Sequence, residues 1–339
     1  MSSAKGLENL SNRLKWAEDK LTFVIFSAMA VLPLIEFIAR LFGKSGVSGS
    51  QIIVQHFTLW VGFLGAVLAA RQSKLLSLTH QPLFANDKEF HLGKWIAKAV
   101  TLIVLMILAW GSWLFVKLEG TITPIAQYIP TWFAQMIMPI GFLLMAFQIY
   151  VNSYNTREDR LTLFIVTLIF FVCAIAGVTL SQNYILYIGL ILIAISLFFG
   201  APIVIGLGGL AIILGWAAFE PYPDQTAFTP ISWMISDSYR LVTKPNLPTI
   251  PLFTLAGYLL AESKASERLI VVFKELFGWI PGGTPIVIIL LCGFFTALTG
   301  GSGVTILALG GLLLPMLRNE GYSNSFSLGL ITVSGSIGL

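Results

Sequence analysis

Four apolar runs, residues 21–39, 52–70, 95–116 and 131–151, follow one another through the first half of this chain. Each is close to the roughly twenty residues that an α-helix needs to cross a bilayer. A span of that kind satisfies its own backbone hydrogen bonds, which a bilayer without water demands. Charged residues make up 11% of the 339 and hydrophobic ones 56%, against about 25% charge in a soluble domain. The fold class that follows is an all-α polytopic membrane protein. The first twenty residues are polar and charged and the run behind them is of span length, so no cleavable signal peptide is read here.

Basic residues in the loops orient the spans. Lys5, Arg13, Lys15 and Lys20 precede the first; Arg71, Lys74, Lys88, Lys94 and Lys98 separate the second from the third; Arg157 and Arg160 follow the fourth. The alternate loops hold only Arg40, Lys44 and Lys117, and this imbalance predicts a cytoplasmic N-terminus. The net charge of +4 is explained by that topology. No basic patch interleaved with aromatics appears, so the bilayer is an expected partner and nucleic acid is not. Leu7, Leu10, Leu14, Ala17 and Leu21 recur at helical spacing among charged residues, which predicts an interfacial helix over 1–20. Glu36 and Arg40 stand one turn apart at the end of the first span and read as a snorkelling pair. His56 and Trp60, also one turn apart, read as an interface anchor or packing pair. Cys173 and Cys292 lie in apolar runs and read as small hydrophobes.

The chain divides into a four-span module over 21–152, a linker and joining span over 153–182 with its apolar run at 161–180, a segment over 183–250, and a last segment over 251–339. In 183–250 two shorter apolar stretches, 184–199 and 203–219, are divided by Gly200-Ala201-Pro202, where proline removes a donor and predicts a tight turn between antiparallel helices. An exposed loop follows, with a short helix around 233–242. A short span at 251–261 leads to an amphipathic surface helix over 262–280, with Leu269, Ile270, Phe273, Leu276 and Phe277 on its apolar face. Pro281-Gly282-Gly283 ends it.

Residues 292–315, CGFFTALTGGSGVTILALGGLLLP, are apolar enough for membrane depth yet are interrupted by the small residues TGGSGVT at 299–305. The arms on either side, 285–298 and 304–317, are short for a crossing. Arg268 and Lys274 before them and Arg318 after them suit a re-entrant hairpin that returns both flanks to one side. A second small-residue break, SGSIGL, occupies 334–339. Non-helical backbone survives at that depth only where protein buries it or where it lines a polar cavity. Two breaks rich in hydroxyls and glycine offer several uncharged oxygens at close approach, which a hard monovalent cation requires. Close helix packing through small residues accounts for the same composition.

These residues also carry a resemblance. Residues 249–339 resemble the first half of the large (M-type) membrane subunit of the tripartite ATP-independent periplasmic (TRAP) transporters. The landmarks are PLFTLAGYLL from Pro251, WIPGG ending at Gly283, TGGSGVT, LGGLLLP at 309–315, Gly321-Tyr322 and SGSIGL, in the family's order. FGAP at 199–202 resembles the turn near the start of that subunit. The first four spans resemble the small (Q-type) subunit, notably in FIARLFG and FLGAVLAARQSKLLSL, so the whole looks like a fused pair that stops partway through the large subunit.

The resemblance implies a bacterial inner-membrane permease, working by an elevator mechanism, that imports an organic anion such as a carboxylate, dicarboxylate or sugar acid. Sodium would be the coupling ion, and a separate periplasmic binding protein would deliver the substrate. It assigns Thr299, Gly300, Ser302 and Thr305 of the hairpin tip, with Ser334, Gly335, Ser336 and Gly338 of the facing break, to a sodium site. Gly301 and Gly303 fall to the substrate site. Gly301 stands where the family usually has serine, Gly303 adds a glycine, and Ile306 and Leu307 replace small alanines. The family's second repeat is absent from the chain as given, so the chain reads as a fragment or else as one that requires a second polypeptide to supply the missing half, and a membrane scaffold without transport of its own is the alternative. Nothing points to an enzyme. His56, His80 and His91 lack metal-ligand spacing, and no nucleophile elbow, HExxH or phosphate loop occurs.

Overall fold

The apolar runs form helices because, among strongly hydrophobic residues, only the i→i−4 ladder satisfies every backbone group within one segment. The structure, a computed structural model, describes the chain apart from residues 1, 45, 48, 79–86, 120–123, 126–128, 154–160, 166, 169–181, 219–228, 264–267, 269–270, 273–274, 277–278, 281, 300–301 and 338–339. Most of the joining span and of the surface helix, and the whole of Cys173, Gly300, Gly301 and Gly338, lie outside the described residues. The described chain divides into two compact units, Met1–Lys244 and Pro245–Leu339.

In the first unit α1 (Ser2–Leu41), α2 (Ser50–Arg71) and α3 (Asp87–Glu119) are followed by a short antiparallel pair, β1 (Pro124–Ile125) and β2 (Ile129–Pro130). Then come α4 (Thr131–Gln135), α5 (Ile137–Asn152), α6 (Gln182–Phe198), α7 (Ile203–Ala217) and α8 (Thr229–Val242). Among the described residues, four stretches are long and apolar enough to cross a membrane: Lys15–Leu41, Ser50–Arg71, Gly93–Glu119 and Thr131–Asn152. The protein is a multi-pass, all-α membrane protein. The segment over 1–20 continues into the first span as one unbroken helix, α1. The fourth span is divided at Met136 into α4 and α5. Pro139 supplies the reason, because it has no N–H to give the carbonyl of Gln135 four residues earlier.

Burial is sorted by side of the helix. Leu59, Leu64 and Val67 of α2, Leu105, Leu108 and Phe115 of α3, and Met138 and Met145 of α5 share one buried cluster with Ile205, Ile212, Ile231 and Ile235 of α7 and α8. Phe23, Leu34 and Phe37 of α1, and Leu143 and Phe147 of α5, are exposed. Large apolar side chains turned outward on helices of span length face acyl chains, not water. Gly189 of α6 and Gly206 of α7 allow close approach there: a Cβ on the first would lie 2.5 Å from Ile213, and on the second 2.6 Å from Leu197. This is the small-residue packing that membrane helices use in place of a hydrophobic drive.

Polar groups in this unit are joined across helices. Arg71, ending α2, bonds Glu18 Oε2 at 3.1 Å, the Asp19 carboxylate at 2.5 Å and the Lys15 carbonyl at 3.2 Å. Gln148 of α5 donates to Glu18 Oε1 at 3.1 Å, and Asn152 donates to the Arg71 carbonyl at 2.8 Å. The N-terminal part of α1 is thereby tied to both α2 and α5. Glu36 receives Arg40 at 2.9 Å and also the Val47 N–H at 2.9 Å and the Ser50 hydroxyl at 3.1 Å, so it closes the α1–α2 connection as well as pairing along its own helix. Trp60 donates to the Ala134 carbonyl at 3.0 Å. His56 Nδ1 lies 2.7 Å from the Ile52 carbonyl, which can only accept, so Nδ1 carries the proton. His56 Nε2 is then the acceptor for the Tyr239 hydroxyl of α8, at 2.7 Å.

Arg71 and Glu18 have side chains only 15% and 10% exposed. Removing one partner from such a pair strands the other charge. Arg71→Ala is expected to cost about 3 kcal/mol, seen as a lower thermal midpoint in detergent. Adding Glu18→Gln should restore most of that loss, because the stranded carboxylate is gone.

Candidate functional site

In the second unit α9 (Thr249–Glu262) precedes α10 (Gly283–Thr299), α11 (Ser302–Asn319) and α12 (Asn324–Ser334). Ile288, Leu291, Cys292 and Phe295 recur at helical spacing on α10, and Leu309, Leu313 and Leu317 do so at every fourth residue of α11. Ile331 of α12 completes their core, and none of the eight is more than 3% exposed. That stripe sets α10 and α11 side by side, with only Gly300 and Gly301 between their ends. Ser323 caps α12, its hydroxyl accepting the Phe326 N–H at 3.3 Å, which fixes where that helix begins.

Above the core the interior turns polar. Thr296 and Thr305 are fully buried and Ser334 is 1% exposed. Thr296 Oγ1 lies 2.9 Å from Thr305 Oγ1 and 2.8 Å from the Gly335 carbonyl oxygen. A carbonyl only accepts, and a hydroxyl has one hydrogen. Thr296 therefore donates to Gly335 and receives the Thr305 hydroxyl, giving a directed chain from Thr305 through Thr296 to Gly335. α12 ends at Ser334, and beyond it the Ser336 and Ile337 N–H groups reach back only three residues, to the Val333 and Ser334 carbonyls. The Gly335 carbonyl, which a longer helix would have satisfied, is taken up by Thr296. Gly335 is closely approached here: a Cβ would lie 3.0 Å from Ile306 Cγ1 and 3.3 Å from the Ser302 carbonyl oxygen, so a larger residue would require Ile306 to give way by a few tenths of an ångström.

The site residues expected from the sequence are placed as follows. Thr305, Ser334 and Gly335 are buried in this cluster region. Ser302 is half-buried at the first position of α11, with its carbonyl against Gly335. The Ser334 hydroxyl turns back onto the Leu330 carbonyl of its own helix. Gly303 and Ser336 are exposed. Thr299 closes α10, and its side chain, together with Gly300, Gly301 and Gly338, lies outside the described residues.

Thr296 was not among the expected residues, although it joins the two breaks. It precedes Thr299 by three positions and so shares its helical face, a signal that was present in TALT but lay outside the glycine-rich run. The ends of three helices meet here: the carbonyl end of α10, the N–H end of α11 and the carbonyl end of α12. Among the described residues no group of three or more His, Cys, Asp or Glu is arranged to hold a metal. Hydroxyls and carbonyls offer neutral oxygens, suited to a hard cation of low charge and not to a transition metal.

Thr296→Val keeps the volume and removes the hydroxyl that serves both partners. It should cost about 2 kcal/mol in unfolding free energy, measured by denaturation in detergent, whereas Thr296→Ser should stay near the wild type.

Comparisons with known proteins bear on both units. The family described as "Tripartite ATP-independent periplasmic transporters, DctQ component" matches residues 29–159, and "Tripartite ATP-independent periplasmic transporter, DctM component" matches residues 190–339. The chain is similar to the isethionate TRAP transporter permease protein DctMQ of Oleidesulfovibrio alaskensis, 26% identical over 99% of this chain and 54% of that protein. It is similar to the C4-dicarboxylate TRAP transporter large permease protein DctM of Rhodobacter capsulatus, 31% identical over 32% of this chain and 25% of that one. The ectoine TRAP transporter large permease protein TeaC of Halomonas elongata is 35% identical over 27% of this chain and 22% of its own length. The chain spans about half the length of the isethionate relative.

Proposed function

Since the chain belongs to the tripartite ATP-independent periplasmic transporter family, with its DctQ and DctM components in one polypeptide, we propose that it is the permease part of a sodium-coupled importer of a small organic anion. The observation that carries this reading is the meeting of Thr296, Thr305 and the Gly335 carbonyl within hydrogen-bonding distance. A sodium ion needs five or six oxygens, and a cradle of carbonyls and hydroxyls supplies them without a fixed negative charge. The ion would take ligands from the Ser302 and Thr305 region of the tip and from the carbonyl end of α12, with Thr299, Gly300, Ser334, Ser336 and Gly338 as neighbours. Thr296 would hold the two sides in register.

Neutral ligands also give a route to coupling. An anion entering a site without a carboxylate or a lysine lacks a charge partner, and desolvating it is costly. A cation already bound supplies that partner, so each ligand raises the affinity for the other. The N–H end of α11 and the glycines at 301 and 303 would present backbone donors to the anionic group. Relatives named for isethionate and C4-dicarboxylates point to a small molecule carrying a sulfonate or carboxylate. In an inverted-repeat transporter the opposing half of such a site comes from a second repeat, here from the remainder of a full-length transporter. A periplasmic binding protein would deliver the substrate, and the inner membrane, with the N-terminus in the cytoplasm, would be its location. An elevator mechanism, which the resemblance implies, would carry the bound ion and anion across the membrane.

The test is uptake by the intact transporter with its binding protein in proteoliposomes, under an imposed sodium gradient, with radiolabelled isethionate or succinate. Sodium-dependent accumulation is expected, and Ser302→Leu should reduce it at least tenfold while leaving the elution profile unchanged. Ordinary uptake by that variant, or uptake indifferent to sodium, would overturn the assignment.

A further inference from the structure

Where α2, α4 and α8 of the first unit meet, one buried polar atom is left over by the bonds that hold the fold. His56 is 8% exposed and Gln135 1%. His56 lies near the start of the span Ser50–Arg71, Gln135 lies near the start of Thr131–Asn152, and Glu119 closes Gly93–Glu119. With Nδ1 of His56 donating to the Ile52 carbonyl, Nε2 takes the hydrogen of the Tyr239 hydroxyl at 2.7 Å. The imidazole is neutral in that arrangement. The Gln135 side chain adjoins the same hydroxyl, yet its Oε1 is buried and has no hydrogen-bond partner among the described residues. Native interiors seldom leave such an acceptor unused.

A proton added to His56 makes both ring nitrogens donors. The Ile52 carbonyl keeps its bond, and the Nε2–H group must find an acceptor. The Tyr239 oxygen, 2.7 Å away, becomes that acceptor, so its own hydrogen has to turn to another oxygen. Gln135 Oε1 is the uncommitted acceptor beside it. The Tyr239 ring packs against Phe115, with centroids 5.4 Å apart, and the reversal asks only for rotation of the hydroxyl and of the terminal amide.

The charged groups around the trio, among the described residues, bear on the same step. Glu119 of α3 acts electrostatically on Tyr239, and its carboxylate also receives the Ser236 hydroxyl at 2.9 Å and stands 3.8 Å from Arg240 of α8. It is thus a partial counter-charge for an imidazolium. Lys117, Asp237 and Lys244 are exposed. Glu36 of α1 is engaged by Arg40, the Val47 N–H and Ser50. α4 and α5 carry no charged residue, and α2 none before Arg71.

We propose that His56, Tyr239 and Gln135 form a proton-binding relay, in which a proton on His56 reverses the Tyr239 hydroxyl and extends the bond between α2 and α8 onto α4. In the neutral state the hydroxyl donates to His56 and the amide oxygen is idle. In the protonated state His56 donates to Tyr239 and Tyr239 to Gln135, so three helices are tied in place of two. Gln135 is a positioning residue: it does not take up the proton but makes room for it.

The test uses the intact protein in detergent, labelled with ¹⁵N in the histidine rings, with the His56 signals identified by their loss in His56→Gln. His56 should titrate between about pH 5 and 8, its neutral form carrying the hydrogen on Nδ1. At the pH where the wild type is half protonated, Gln135→Leu should lower the protonated fraction at least threefold, and Gln135→Glu should not lower it. Thermal midpoints supply the second readout. Gln135→Leu removes an idle acceptor, so it should match or exceed the wild type at pH 8. Protonation is easier with Gln135 present, so the wild type should gain on the variant as the pH falls through the His56 titration. A role in packing alone would give the same difference at both ends of the range. That result, a His56 that stays neutral down to pH 5, or a protonated fraction unchanged by Gln135→Leu would overturn the proposal.

Discussion

The bilayer offers no hydrogen bonds to a backbone that leaves the helix, and the second unit is organised by how that demand is met. α12 stops at Ser334, and the Gly335 carbonyl would be left bare within a packed interior. Thr296 Oγ1 reaches it at 2.8 Å and in turn receives Thr305. One hydroxyl thus binds the break in α12 to both arms of the preceding pair. The same short distances bring carbonyl and hydroxyl oxygens from different helix ends together. The solution to a backbone problem also supplies the oxygens on which the proposed ion site draws.

The first unit meets a different demand. Its helices carry large apolar side chains on both sides, so burial of hydrophobic surface does little to choose partners within lipid. Specificity falls to the few polar side chains. Arg71 joins α2 to the N-terminal part of α1, Gln148 carries that link to α5, and the His56–Tyr239 bond draws α8 against α2. Glycines such as Gly189 and Gly206 set how near α6 and α7 approach.

Some of this was open to reading from residues alone. The spans were legible because length and apolarity are local properties, and the helices found, Ser50–Arg71 and Thr131–Asn152, begin and end within two residues of the apolar runs. The break at TGGSGVT was legible because glycine runs have no use in a plain span. The division of the fourth span at Met136 could have been foreseen from Pro139 but was not. The role of Thr296 was less accessible. A threonine in an apolar helix usually bonds its own i−4 carbonyl, as Thr58 and Thr101 do here. Only its position opposite Gly335 gives it another partner.

The amino-acid sequence by itself determined that this chain is helical, lies in a membrane and carries two weak points in its last helices, because each of those follows from composition and period within a short window. Which groups meet across those windows was decided by the tertiary structure alone. Thr296 and Gly335 are thirty-nine residues apart, and Glu18 and Gln148 one hundred and thirty. Such pairings arise when packed helices bring distant polar atoms within 3 Å in a medium where any other partner is scarce.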